Sequence, residues 1–121
     1  MQDIREVVQS ALDEAFIEKV DVTAEEPYEL PDEYITYMVV SAVYTEFANG
    51  RPIQRRDNID VTWYGKDIKK KASRMAEIES AMTAAGFYVV DLPYDLPRDD
   101  GTDYYGSTME FSLYRVVPRE N

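Results

Sequence analysis

Apolar side chains recur along this chain with two different periods, and the switches between them mark out its elements. Near the start, Ile4, Val7, Val8, Ala11, Leu12, Ala15 and Phe16 follow steps of three and four, while Gln2, Arg5, Glu6, Gln9, Asp13 and Glu14 take the other side. This predicts an amphipathic helix that stops near Glu18. Residues 20–23 alternate briefly, and residues 24–33 form an acidic loop containing Pro27 and Pro31. Residues 34–47 then carry bulky side chains on both alternating sets: Tyr34, Thr36, Met38, Val40 and Tyr44 on one, Ile35, Tyr37, Val39, Val43 and Phe47 on the other. The pattern predicts a long strand covered on both faces, bent or bulged near Ser41 and Ala42, whose end projects beyond the compact core.

Asn49-Gly50 signals a turn, with residues 51–56 read as a connection longer than a tight hairpin. Ile59, Val61 and Trp63 alternate with polar neighbours, as in a strand buried on one side. Asp67 is placed to cap a second helix over residues 67–85, whose stripe is Ile68, Ala72, Met75, Ile78, Met82 and Ala85. Gly86 sits at the left-handed stop, with Phe87 folding back on the last turn. Residues 87–90 read as a short strand, residues 91–103 as a long acidic loop, and residues 105–117 as the strand that closes the sheet. The whole chain, residues 1–121, therefore reads as one α+β domain: a mainly antiparallel sheet of about four or five strands with two helices packed on one face.

Composition removes several chemistries. Neither cysteine nor histidine is present, so a disulfide, a thiolate metal site, a Cys nucleophile and the usual general base are all excluded. No apolar run approaches the length of a membrane span, and the first residues lack the pattern of a signal peptide. The expectation is a protein of the cytoplasm with no membrane partner. A net charge of −11 argues against specific nucleic-acid binding, which needs cations to displace condensed counterions. The charge is unevenly spread: Arg51, Arg55, Arg56, Lys66, Lys69, Lys70, Lys71 and Arg74 are eight of the 13 basic residues, and acids crowd either side of them. Such polarity suits self-association or docking on a charged partner.

Apparent catalytic and metal motifs do not survive their own spacing. Asp99, Asp100 and Asp103 around Gly101 supply hard oxygen ligands, yet a calcium loop centred on that glycine would place Leu96, Arg98 and Ser107 where carboxylates are required. The segment reads as a solvated turn. Lys66 to Arg74, with Glu77 and Glu79 a turn further on, reads as the wet side of a helix rather than a phosphate site. Glu25-Glu26 lacks any identifiable partner for acid–base work. Ten tyrosines point instead to protein interfaces. Tyr37, Tyr44 and Trp63 read as core or sheet-packing residues; Tyr94, Tyr104 and Tyr105, beside the acidic loop, read as interface residues. No catalytic, metal or cofactor residue is assigned, and the residues expected at self-association or partner surfaces are Arg51, Arg55, Arg56, Tyr94, Asp99, Asp100, Asp103, Tyr104 and Tyr105.

The order of these segments carries a likeness. The N-terminal helix, the approach Leu30-Pro31-Asp32-Glu33-Tyr34-Ile35-Thr36-Tyr37, the strand Ile59-Asp60-Val61-Thr62-Trp63-Tyr64, the helix end Ala84-Ala85-Gly86-Phe87 and the closing strand Met109-Glu110-Phe111-Ser112-Leu113-Tyr114 together resemble the tail terminator, or tail completion, proteins of long-tailed bacteriophages. The resemblance spans about residues 4–117. It implies a non-enzymatic α+β subunit that forms a ring, usually a hexamer, on the head-proximal end of the tail tube, ending polymerisation and offering a surface to the head. The implied partners are copies of itself, the tail tube protein and the head–tail connector, with localisation in the virion tail and, during assembly, the host cytoplasm. Two other readings fit the same sequence: another head–tail joining or baseplate protein of the virion, or an acidic cytoplasmic regulator that occupies a basic protein.

Overall fold

The computed structural model describes residues 1–16, 20–27, 29–98 and 102–119. Its elements run α1 (Ile4–Phe16), β1 (Asp21–Thr23), β2 (Glu33–Ala48), β3 (Arg51–Gly65), a 3-10 turn (Ile68–Lys70), α2 (Lys71–Ala84), β4 (Tyr88–Leu96) and β5 (Tyr105–Val116). The five strands form one sheet in the order β1-β2-β3-β5-β4, antiparallel except for the short parallel pairing of β1 with β2. This is the α+β domain expected from the sequence.

Both helices cover the same side. Ile4, Val8, Leu12 and Phe16 of α1 and Met75, Ile78 and Met82 of α2 pack in one core with Ile35 and Tyr37 of β2, Ile59, Val61 and Trp63 of β3, and Met109 and Phe111 of β5. Period-2 alternation in β3 sends every second side chain under the helices. An antiparallel sheet tolerates one wet face, and the other side is left open.

Local signals explain the ends. The Asp67 carboxylate accepts the Lys69 backbone N–H at 3.0 Å and starts the 3-10 turn that leads into α2. At the far end, the Phe87 N–H donates to the Met82 carbonyl and the Gly86 N–H to the Thr83 carbonyl, both at 3.0 Å, with Gly86 at φ 98°. Those two bonds make a Schellman stop, and they turn Phe87 back into the core.

The sheet departs from the sequence reading in three places. Asn49 and Gly50 both have positive φ, 52° and 75°, and close a two-residue turn. Residues 51–56 are therefore strand, paired with β2 from Arg51 opposite Ala48 onward. Pro52 and three arginines gave that stretch the look of a loop, but it pairs with β2 and, from Gln54 to Arg56, with β5 as well. Residues 91–96 are also strand rather than acidic loop, because β4 tolerates Pro93 at the sheet edge, where a missing donor costs no ladder bond. Finally, β2 is not covered on both faces: Met38, Val40, Val43, Tyr44 and Phe47 are all exposed. The expected bulge is present, as a register shift between Val39 and Ser41, with two more between Tyr44 and Phe47.

Candidate interaction surface

The open side of the sheet is built from rows of side chains that the strand registers bring abreast. At one end Tyr34 of β2 lies opposite Tyr64 of β3, and Tyr64 opposite Gly106 of β5. The Tyr34 and Tyr64 rings stack with centroids 5.0 Å apart, and Tyr104 meets Tyr34 edge-on at 5.7 Å. The Tyr104 hydroxyl donates to the Pro31 carbonyl at 2.6 Å, tying the segment before β2 to the tyrosines. A cavity of about 530 Å³ opens there, lined by Glu25, Glu26, Tyr34, Tyr64, Leu96 and Tyr104 among others.

The middle of this face is polar. Thr62 and Thr108 share a hydroxyl contact of 2.9 Å. Further along, Asn58 donates to Ser41 at 2.7 Å and accepts from Ser112 at 2.5 Å. Between these rows Asp60, Glu110 and Asp91 stand abreast on three adjacent strands. Burial pushes the carboxyls of Asp60 and Glu110 up, and the neighbouring acids add to it, Asp91 on Asp60, and Asp60 and Asp91 on Glu110. Like charges side by side on a sheet face destabilise the bare protomer. A cationic partner would relieve them.

Beyond β5 the sheet narrows to the β2–β3 arm. The last paired residue of β5 is Val116, opposite Gln54, so the tip of the arm is two strands wide. Phe47 and Ile53 are exposed on it, Val43 and Tyr44 are exposed just behind it where β5 still flanks β3, and the rings of Tyr44 and Phe47 touch edge-on at 6.3 Å. Tyr44 is therefore a surface residue and not part of the core. The base of the arm is clamped from beneath by Asp57, which is fully buried and paired with Arg55 at 2.7 Å and Arg115 at 3.1 Å.

The two edges of the sheet differ. β4 carries Pro93, Asp91 and Asp95 and two register shifts, the devices that blunt an edge. On the other side, β1 pairs only with Tyr34, Ile35 and Thr36. Among the described residues no strand lies along the outer side of β2 from Tyr37 to Ala48. Residues 37–44 of that edge contain neither charge nor proline.

No family model matches the chain, and no curated protein matches it. A solved structure that carries no functional name aligns over 97% of this chain and 98% of its own, with 14% sequence identity and a TM-score of 0.53. That likeness is one of fold, and it supports the α+β arrangement alone.

The residues expected at partner surfaces fall in separate places. Arg51 is exposed at the arm tip, and Arg56 lies half-buried on the open face. Arg55 is committed to Asp57, so its charge is already answered within the protomer. Tyr94 is exposed on β4, opposite Thr108. Tyr104 joins the tyrosine end of the sheet. Tyr105 packs partly against the core, with the Arg98 guanidinium 4.3 Å from its ring centroid. Asp103 is exposed, while Asp99 and Asp100 lie outside the described residues.

The basic run from Lys66 to Arg74 meets the acidic segments inside the protomer: Lys66 with Asp32, Lys71 with Asp95, and Lys70 and Arg74 with Glu33. Burial pushes the Glu33 carboxyl up, but hydrogen bonds from Arg74 and Trp63 outweigh it and hold the group below its ordinary value. Sequence reasoning missed Tyr34, Tyr64, Asp60, Glu110 and Asp91 as a surface, because cross-strand neighbours become visible only once the register is set. The signal available was Asn49-Gly50: counting outward from a two-residue turn nearly reproduces the β2–β3 pairing.

No helix among the described residues is long and apolar enough to cross a membrane. Among those residues no group of three or more acids is arranged to hold a metal ion.

Proposed function

We propose that this protein is a structural subunit of a bacteriophage or prophage tail that caps the tail tube, stops its growth and forms the surface for head attachment. It acts as a ring of copies and not as an enzyme. The observation that supports this most strongly is the arm: a two-stranded projection with exposed aromatic and aliphatic side chains and an uncharged outer edge on β2. An edge of that kind is a template for pairing with another chain. A soluble protomer keeps such a feature where a neighbour covers it. Pairing through the bare edge of β2 on one side and a different surface on the other is heterologous, and a heterologous contact closes into a ring when its rotation permits.

The segment order that resembles tail terminators supplies the identity of the assembly. The fold is compatible with it, and the open sheet face gives the ring a second acidic surface for the tube or connector. The test is electron microscopy of the protein mixed with tail tube subunits during polymerisation. Density on tube ends and shortened tubes are the expected outcome. Tubes that elongate unchanged, with the protein absent from their ends, would overturn the reading.

A further inference from the structure

The cavity at the tyrosine end of the open face has the chemistry of a cation receptor. Its floor is the stacked Tyr34–Tyr64 pair, and one wall is Tyr104. Aromatic faces attract a cation through their quadrupole, and more strongly where water is thinned out. Tyr34 is only 3% exposed, and Glu26 lies near enough for its charge to act on the Tyr34 phenol. Burial and the Glu26 charge push the Tyr34 phenol up to about 12, so the ring stays neutral and adds no negative charge of its own to the cavity. Glu25 lines the same cavity. The Thr23 hydroxyl donates to the Glu25 carbonyl, and Tyr104 grips the carbonyls of Leu30 and Pro31, so both ends of the carboxylate-bearing segment are tied down.

Among the described residues, no cation pairs with the carboxylates of this cavity: neither Glu25 nor Glu26 forms an ion pair, whereas Glu33, Asp32, Asp57 and Asp95 all do. Lys66 lies 5.5 Å from the Tyr104 ring centroid, but its ammonium is paired with Asp32. We infer that this cavity receives an arginine side chain presented by a partner protein. A guanidinium is planar, stacks on aromatic faces and offers a fork of donors to two carboxylates, which a lysine ammonium does not. The volume of about 530 Å³ is within the range of specific ligand pockets and leaves room for the backbone flanking the side chain. Charge complementarity favours a basic partner for a chain of net charge −11.

The inference does not depend on the tail reading, because a lone protomer presents the site. Its test is an NMR titration of the isolated protein with a capped Gly-Arg-Gly peptide, and in parallel with the same peptide carrying citrulline, the neutral counterpart of arginine. Saturable shifts confined to amides around Glu26, Tyr34, Tyr64 and Tyr104, at least tenfold weaker for citrulline and for the Glu25→Gln/Glu26→Gln double variant, are the expected result. Tyr34→Phe keeps the aromatic floor and both carboxylates, and should retain saturable arginine binding while leaving the rest of the spectrum in place. Shifts spread over the other acidic segments, equal binding of citrulline, wild-type affinity in the double variant or no saturable binding at millimolar peptide would each overturn it.

Discussion

The two sides of this sheet are built from the same strands yet obey different rules. Under the helices, Ile59, Val61, Trp63, Met109 and Phe111 are fully buried, and the charges that enter are answered, Asp57 by two arginines and Glu33 by Arg74 and the Trp63 indole. On the open side Tyr88, Tyr94 and Tyr114 stand exposed, and Asp60, Glu110 and Asp91 crowd one another with no ion pair among the described residues. The covered side holds the fold together, and in the proposed reading the open side and the arm meet partners. Mutational effects should separate accordingly: stability on one side, association on the other.

The largest effect belongs to Asp57. Asp57→Ala strands Arg55 and Arg115 around an empty buried position, and removal of one partner of a buried ion pair costs about 3–5 kcal/mol. Urea unfolding should show that loss. A change below about 1 kcal/mol would mean that the base of the arm is not clamped from the covered side. Gly65→Ala comes next. A Cβ at that position falls 2.3 Å from Cζ2 of Trp63, whose ring is wholly buried and whose N–H is held by Glu33 at 2.7 Å. Neither ring nor backbone can yield freely, so the overpacking cost is about 1–3 kcal/mol by the same measurement.

The pH dependence divides along the same line, with a sign for each side. Glu33 is held below its ordinary pKa in the folded protein, so its contribution is present above the unfolded value near 4.5 and is lost as pH falls through the folded one. Asp60 and Glu110 are raised, so the folded state binds more protons than the unfolded chain. Their effect favours folding below the unfolded values, and that advantage is lost as pH rises through the folded ones. Glu33→Gln should therefore lower the melting temperature at pH 7, with the deficit shrinking in acid. Glu110→Gln should raise it at pH 7, with the gain shrinking in acid. Thermal melts between pH 4 and 7 read both, and parallel curves for the two variants would erase the distinction between the two faces.

Much of the covered side was legible in the amino-acid sequence, and little of the open side was. The steps of three and four in α1 and the alternation of Ile59, Val61 and Trp63 report burial directly, because each element has one buried face and burial is what the period encodes. The Gly86-Phe87 stop was legible for a similar reason, a single conformational demand met by a single residue. Residues 51–56 and 91–96 were misread since proline and charge argue against a strand, and both stretches lie at the arm tip or the sheet edge, where those residues are tolerated. The tyrosine cluster and the carboxyl row join residues tens of positions apart. Their neighbours follow from strand order, and strand order has no local signature.

The smallest effect on stability should come from the arm tip, where it sharpens the comparison most. Phe47 is 62% exposed and its ring meets that of Tyr44, itself exposed, so Phe47→Ser should leave the unfolding free energy within about 0.5 kcal/mol of wild type. If the arm exists for a neighbour, the same substitution removes a large apolar side chain from that contact, and light scattering across a concentration series should show assemblies shifting toward protomers. Arg51→Glu, at the first residue of β3 directly after the turn glycine and outside the Asp57 clamp, should shift the same equilibrium less, because an exposed charge is screened by salt while an aromatic contact is not. Equal association by wild type and Phe47→Ser would move the contact away from the arm tip and onto the uncharged edge at residues 37–44, where Val40→Lys is the substitution that decides between them.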